Sequence, residues 1–375
     1  GFAAHRLEAA SPASGGKPGE RFVVKHDNMH ALAVRPGLAR YGGDLYLDHA
    51  GRPTRIVLGG RDVLPSMGKE WDFAKFTFRA SSLVGTTAYD HLGRCHYVIA
   101  NALYLASHRH LKLDHPLRTF VSPFHFRTGA INYGAVSSLV PEAGLVHRAS
   151  GLTWDALSSI WKGMTKAYSF ETLPAELRRK GVHPEAFGSD EKDLYPYGTD
   201  ALEFWHAIHD FVGDALEKSP ALQSALTTRR DETSRWWESL AKGIPGIPEL
   251  TTEGLRDVLT LLFFTVSGFH NFVGTVTEYV ADPTFTAGKL WPGVTMADRQ
   301  STMQLCLIAS TTGFELPRIS GDFSHLMPDD GAKDASRRFR TALKGVQANI
   351  DARNAKREQP FRAFEPDRCS LSVGV

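Results

Sequence analysis

His91 and His96 stand five residues apart in the run Asp90-His91-Leu92-Gly93-Arg94-Cys95-His96. Imidazoles offer neutral nitrogen donors, so a converging pair would make half of a metal site. On a regular α-helix the two rings point about 140° apart and cannot share an ion. A π-type turn, with hydrogen bonds running i to i+5, would bring both onto one face, and Gly93 between them eases that distortion. The alternative is an ordinary helix with one imidazole buried and one exposed, and in a chain with 16 histidines the spacing alone does not decide. His270 poses a related question. It lies within residues 255–279, a stretch apolar nearly all round, where a lone histidine is either a ligand or a core residue satisfied by a backbone carbonyl.

The elements that must position these side chains are mostly helices. Apolar residues recur three and four apart across 71–105 and 201–216, the spacing of helices several turns long. Pro and Gly clusters near 141–144, 244–248 and 282–293 punctuate the chain without the fixed period of a solenoid. Residues 43–48 and 54–58 alternate apolar and polar around a turn at 49–53, which predicts a small β-hairpin. Residues 1–20, rich in Ala, Gly, Ser and Pro, are expected to form a flexible arm, leaving 21–375 as one mainly α domain.

Composition excludes several classes. A chain of 375 residues with 42% hydrophobic content buries a sizeable core without staples. The 43 basic residues nearly balance the 41 acidic ones and are scattered, which argues against a nucleic-acid partner. Three widely spaced cysteines suggest neither a disulfide framework nor a zinc knuckle. The most apolar window, 258–276, is interrupted by Thr, Ser, Gly, His and Asn and reads as too polar for a lipid-facing span. The start, Gly1-Phe2-Ala3-Ala4-His5, has no leader pattern. The expectation is a soluble chain, cytoplasmic or exported after removal of a leader, acting as a monomer or weak oligomer.

A series of motifs surrounds the histidines. Glu70-Trp71-Asp72-Phe73-Ala74-Lys75 precedes the pair. His115-Pro116-Leu117, Ser122-Pro123-Phe124-His125 and Thr128-Gly129-Ala130-Ile131-Asn132 follow it. Further on come Tyr195-Pro196-Tyr197-Gly198-Thr199-Asp200, the double Trp236-Trp237, and Thr265-Val266-Ser267-Gly268-Phe269-His270 with Tyr279 beyond. In order and approximate spacing this series resembles the lipoxygenases, over about residues 40–375.

The resemblance implies a lipoxygenase-type helical bundle around long metal-binding helices. It implies non-haem iron, or manganese in its place, held by His91, His96, His270 and the α-carboxylate of Val375, since lipoxygenases end in a run like Arg368-Cys369-Ser370-Leu371-Ser372-Val373-Gly374-Val375. The family usually adds Asn, His or Ser one turn after the third histidine, where this chain has Gly274. Water, or Thr275 through a one-residue shift, would then fill that position, with adjacent Asn271 the poorest candidate. Thr87 and Glu278 stand where the family often has other polar groups, implying an altered hydrogen-bond network around the ligands.

The implied reaction is hydrogen-atom abstraction from a polyunsaturated fatty acid followed by O2 insertion to a hydroperoxide. Ala135 matches the position that directs O2, and Leu139 and Val146 match pocket-lining positions, although buried aliphatic residues need no function to explain them. Lys112 and Arg118 are candidates for a substrate carboxylate, and His125 for a group behind the ligands. His108, His110 and His115, and the pair His206 and His209, are read as structural. Two alternatives accompany this reading: the same metal chemistry on a smaller unsaturated metabolite, or a catalytically silent binding module on the same scaffold.

Overall fold

The computed structural model of the chain describes residues 2–188, 194–274, 278–311 and 316–374. A five-stranded antiparallel sheet occupies the N-terminal region and helices build the rest. The strands β1 (Leu7–Ala9), β2 (Phe22–Val24), β3 (Asp44–Leu47), β4 (Pro53–Leu58) and β5 (Arg61–Val63) pair in chain order. The expected hairpin is β3 and β4, with Asp44 opposite Val57 and Leu45 opposite Ile56. The other three strands have three residues each, too few for alternation to register in a sequence. Phe22, Tyr46, Ile56 and Val63 are buried. Arg55 is buried too, because Glu20 (2.6 Å), Asp62 (2.8 Å) and the Tyr46 ring satisfy its guanidinium.

The N-terminal arm is a correction to the sequence reading. Residues expected to be flexible are woven into the fold: Phe2, His5 and Leu7 are buried, and Leu7 pairs with Val24 in the sheet. Arg6 donates to Asp90 at 2.7 Å, and the Phe2 ring sits 4.9 Å from that of Tyr279. A few anchoring residues with distant partners outweigh the small-residue composition, which is spent on the tight turn around Ser11–Gly15.

One continuous helical run from 69 to 110 carries both His91 and His96. It begins as α-helix (Lys69–Gly85), passes into a π-helical stretch (Thr86–Ala100) and returns to α-helix (Asn101–His110). A second run, Thr252–Phe264, turns π-helical at Thr265–Phe269 and ends in the short helix His270–Gly274. Among the described residues, Thr252–Gly274 is the one helix long and apolar enough to cross a membrane, and 83% of its apolar window is buried inside the protein. The sequence reading underrated its hydrophobicity, but its faces are covered by protein. Phe263, Phe264, Phe269 and Phe272 are all almost fully buried along it.

The 23-residue helix Pro196–Lys218 and the 25-residue helix Asp330–Asn354 pack together against this centre. Asp200, fully buried, receives Arg357 at 2.7 Å and Arg353 at 2.9 Å, locking the two together. The double tryptophan lies in Arg230–Gly243: Trp236 donates to Ser107 Oγ at 3.2 Å, tying that helix to the end of the 69–110 run.

Deleting residues 1–9 removes β1 and the Arg6 partner of Asp90. Leaving a part-buried carboxylate unpaired costs about 3–5 kcal/mol, so the thermal midpoint followed by circular dichroism should fall by several degrees. A loose arm would leave it unchanged.

Candidate metal centre

The distortion required by the spacing of His91 and His96 is present. Within the π-helical stretch, residues five apart face the same way, and the two Nε2 atoms lie 3.3 Å apart. Gly93 does more than ease the turn, since a Cβ there would stand 2.9 Å from Met164 and 3.1 Å from the Ala88 carbonyl oxygen. His270 follows directly on the second π-helical turn. Its Nε2 lies 2.9 Å from that of His91 and 3.1 Å from that of His96. Gly268 lets this helix approach closely, because a Cβ would meet the Phe204 ring at 2.7 Å.

Protons decide what this cluster is. Asn132 donates through Nδ2 to the His96 carbonyl (3.2 Å), so its Oδ1, 2.9 Å from His96 Nδ1, must accept. That places the single proton of neutral His96 on Nδ1 and leaves a bare lone pair on Nε2. Burial, then repulsion from His96, pushes the His91 pKa down to about 3. Burial lowers His96 to about 4 against the opposing Asn132 bond, and burial with both neighbours depresses His270 strongly. All three rings are neutral near pH 7, so their Nε2 atoms cannot satisfy one another as a ring of hydrogen bonds. Three nitrogens about 3 Å apart match bonds of roughly 2.0–2.1 Å to one shared ion. Among the described residues these histidines form the cluster able to hold a metal.

The remaining sequence candidates fall in different places. Val375 and Thr275 lie outside the described residues. The segment leading to Val375 runs inward: Ser370, Leu371, Ser372 and Val373 are buried, and Ser372 donates to the Phe126 carbonyl at 2.8 Å. A Cβ on Gly274 would meet no described atom within 4 Å. Asn271 faces elsewhere, donating to the Ala363 carbonyl at 2.8 Å. Glu278 pairs with Arg368 at 3.0 Å rather than with a histidine. Ala135 is buried on Thr128–Ser138, three residues after Asn132. Leu139 and Val146 pack in one apolar cluster with Leu92, the neighbour of His91.

Other assignments change. Lys112, largely exposed, sits 3.7 Å from Glu232, and Arg118 donates to the Leu111 carbonyl, so each has a partner within the chain. His125 contacts Tyr104 and His108, away from the three histidines. His115 caps the helix Pro116–Val121 through Leu117 N–H. His209 lies 3.5 Å from Asp257, an acidic neighbour that sequence spacing did not reveal. The functional residue missed by sequence reasoning is Asn132. It was visible only as part of a motif, and its contact with a ring 36 residues away is purely tertiary.

A lipoxygenase family model matches residues 54–279, more than half of the chain. The chain belongs to the lipoxygenase family. It is 25% identical over 340 residues to linoleate 9/13-lipoxygenase of Pseudomonas aeruginosa, a match covering 81% of this chain and 48% of that protein. Mouse polyunsaturated fatty acid lipoxygenase ALOX8 gives 25% over 341 residues, 82% of this chain and 48% of the relative. The chain therefore spans about half the length of these curated relatives. Among solved structures, coral 8R-lipoxygenase superposes with a TM-score of 0.82 at 19% identity, covering 100% of this chain and 66% of that one. The manganese lipoxygenase of Gaeumannomyces graminis gives 0.80 at 19%, covering 100% and 79%. These likenesses establish the lipoxygenase catalytic fold.

Two outcomes follow for this chain. Replacing Asn132 with Leu frees the His96 ring, and metal retention in competition with a chelator should weaken about 10- to 100-fold. Unchanged retention would dismiss the tautomer argument. The second concerns His125, whose pKa is lowered from 6.5 to about 4 by burial and then by His108. Its contribution to stability is complete above pH 6.5 and is lost as pH falls toward 4, because the unfolded chain binds the proton more readily. Between pH 7 and pH 5 this amounts to about 2 kcal/mol, so urea unfolding of His125→Gln should show a correspondingly smaller drop than wild type.

Proposed function

We propose that this lipoxygenase oxygenates a polyunsaturated fatty acid, removing a hydrogen atom from an activated methylene and admitting O2 to give a hydroperoxide. The observation that carries the reading is the meeting of three neutral imidazole nitrogens within 3.3 Å, one with its tautomer fixed by Asn132. His91, His96 and His270 would hold the metal, with the Val375 carboxylate as the fourth protein ligand. Bound there, iron, or manganese in its place, supplies one-electron oxidation of a substrate C–H bond. The linoleate and polyunsaturated-fatty-acid relatives support the substrate class.

The chain's own residues position and exclude. Neutral His96 presents its Nε2 lone pair without a proton to displace, and the Asn132 amide keeps that ring turned toward its partners. Phe269 and Phe272, both buried on the helical run that carries His270, pack against the His5 ring. Ala135 offers a small side chain on the helix that also carries Asn132, leaving room for O2 beside the substrate. Leu139 and Val146, clustered with Leu92, supply an apolar wall for a hydrocarbon chain.

Gly274 favours a second reading, in which the same centre oxidises a smaller unsaturated metabolite. A ligand set lacking the family's usual side chain one turn past the third histidine would be tuned differently.

Metal analysis with oxygen uptake on linoleate separates the two. Iron with rapid uptake and a conjugated-diene product is the expected result; iron without uptake favours the second reading. Metal content should fall to background in His270→Ala and drop sharply when residues are appended after Val375. Full iron in both variants would overturn the ligand assignment.

A further inference from the structure

A cavity of about 290 Å³ separates the N-terminal sheet from the helical body. Its wall is almost entirely apolar: Phe22, Val24 and Leu47 come from the sheet, and Phe78, Phe187 and Phe285 from the opposite side. None of His91, His96, His270, Ala135, Leu139 or Val146 lines it, so it is distinct from the candidate metal centre. Its volume lies at the small end of the roughly 300–1,000 Å³ typical of ligand pockets, which suits one hydrocarbon chain and not a two-chain lipid.

One cation stands in this apolar wall. The Arg79 guanidinium lies over the Phe285 ring, 4.9 Å from its centroid, and both residues line the cavity. Its Nε is buried without a hydrogen-bond partner. Asp282 and Asp72 act on it from a distance without forming an ion pair. A part-buried guanidinium with its Nε–H unsatisfied is costly, and an anion that brings its own apolar body would satisfy both that donor and the wall.

We propose that this cavity is a second ligand site, taking a single-chain fatty carboxylate with its head group on Arg79 and its chain between the sheet and Phe187. The site does not depend on oxidation, so a saturated fatty acid serves as well as an unsaturated one.

Palmitate has no double bond to oxidise and is the probe. Equilibrium dialysis with the intact protein should reveal a site that weakens about tenfold or more in Arg79→Met, the loss of one charged hydrogen bond. Arg79→Lys, which keeps the charge, should retain most of the binding, and Ala4→Trp should block it by filling the cavity. His270→Ala should bind palmitate unchanged, which keeps this site separable from failure of the metal assignment. Crystals grown with 16-bromohexadecanoate should place the bromine inside the cavity, a result that stands even where a variant folds poorly. Absence of palmitate binding, binding indifferent to Arg79→Met, or bromine found solely beside the three histidines would overturn the proposal.

Discussion

Three imidazole lone pairs aimed at one point repel one another unless a cation lies between them. That constraint organises the centre of this protein. His96 and His270 are buried, His91 is half-buried, all three are neutral, and His96 has its one proton committed to Asn132, so its Nε2 has a lone pair and nothing to donate within the cluster. The surrounding structure imposes the arrangement by helical distortion on both sides. The π-helical stretch Thr86–Ala100 brings two histidines to one face, and the π-helical turn Thr265–Phe269 delivers the third. Glycines at 93 and 268 let Met164 and Phe204 press against those turns, so the distortion is held by packing as well as by hydrogen bonding.

The outer elements keep these two helices in place. The helix Pro196–Lys218 presses Phe204 against the second, and Trp236 anchors the end of the first through Ser107. Asp90, next to His91, is gripped by Arg6 from the N-terminal segment. From the other end of the chain, residues 369–374 thread inward beside Phe126, just ahead of the helix that bears Asn132. The sheet contributes to the centre indirectly, by covering the flank of the Lys69–Gly85 helix.

Much of this was legible in the residues. A five-residue histidine spacing is incompatible with a regular helix, so it demanded either a π-type turn or no shared function, and the structure has the turn. The hairpin of β3 and β4 followed from alternation and turn chemistry. What escaped was tertiary in origin. Strands of three residues carry no periodic signal, and the N-terminal segment is ordered by single residues such as Phe2 and Arg6 whose partners lie more than 80 positions away. Asn132 resembled any polar residue on a short helix until its amide was seen against His96. Lys112 and Arg118 looked available for a substrate because nothing local reveals Glu232 or the Leu111 carbonyl as their partners.

The separation of 179 positions from His91 to His270 has a consequence for biosynthesis. Polymerisation at roughly 5–20 residues per second leaves the first two imidazoles without their partner for on the order of ten seconds or longer. During that interval the nascent polypeptide carries only a bidentate half-site, which binds transition metals less selectively than the finished one. Faithful choice of ion must therefore come after the second helix has left the ribosome and docked, so that maturation of the centre is a late event in the folding of the whole domain.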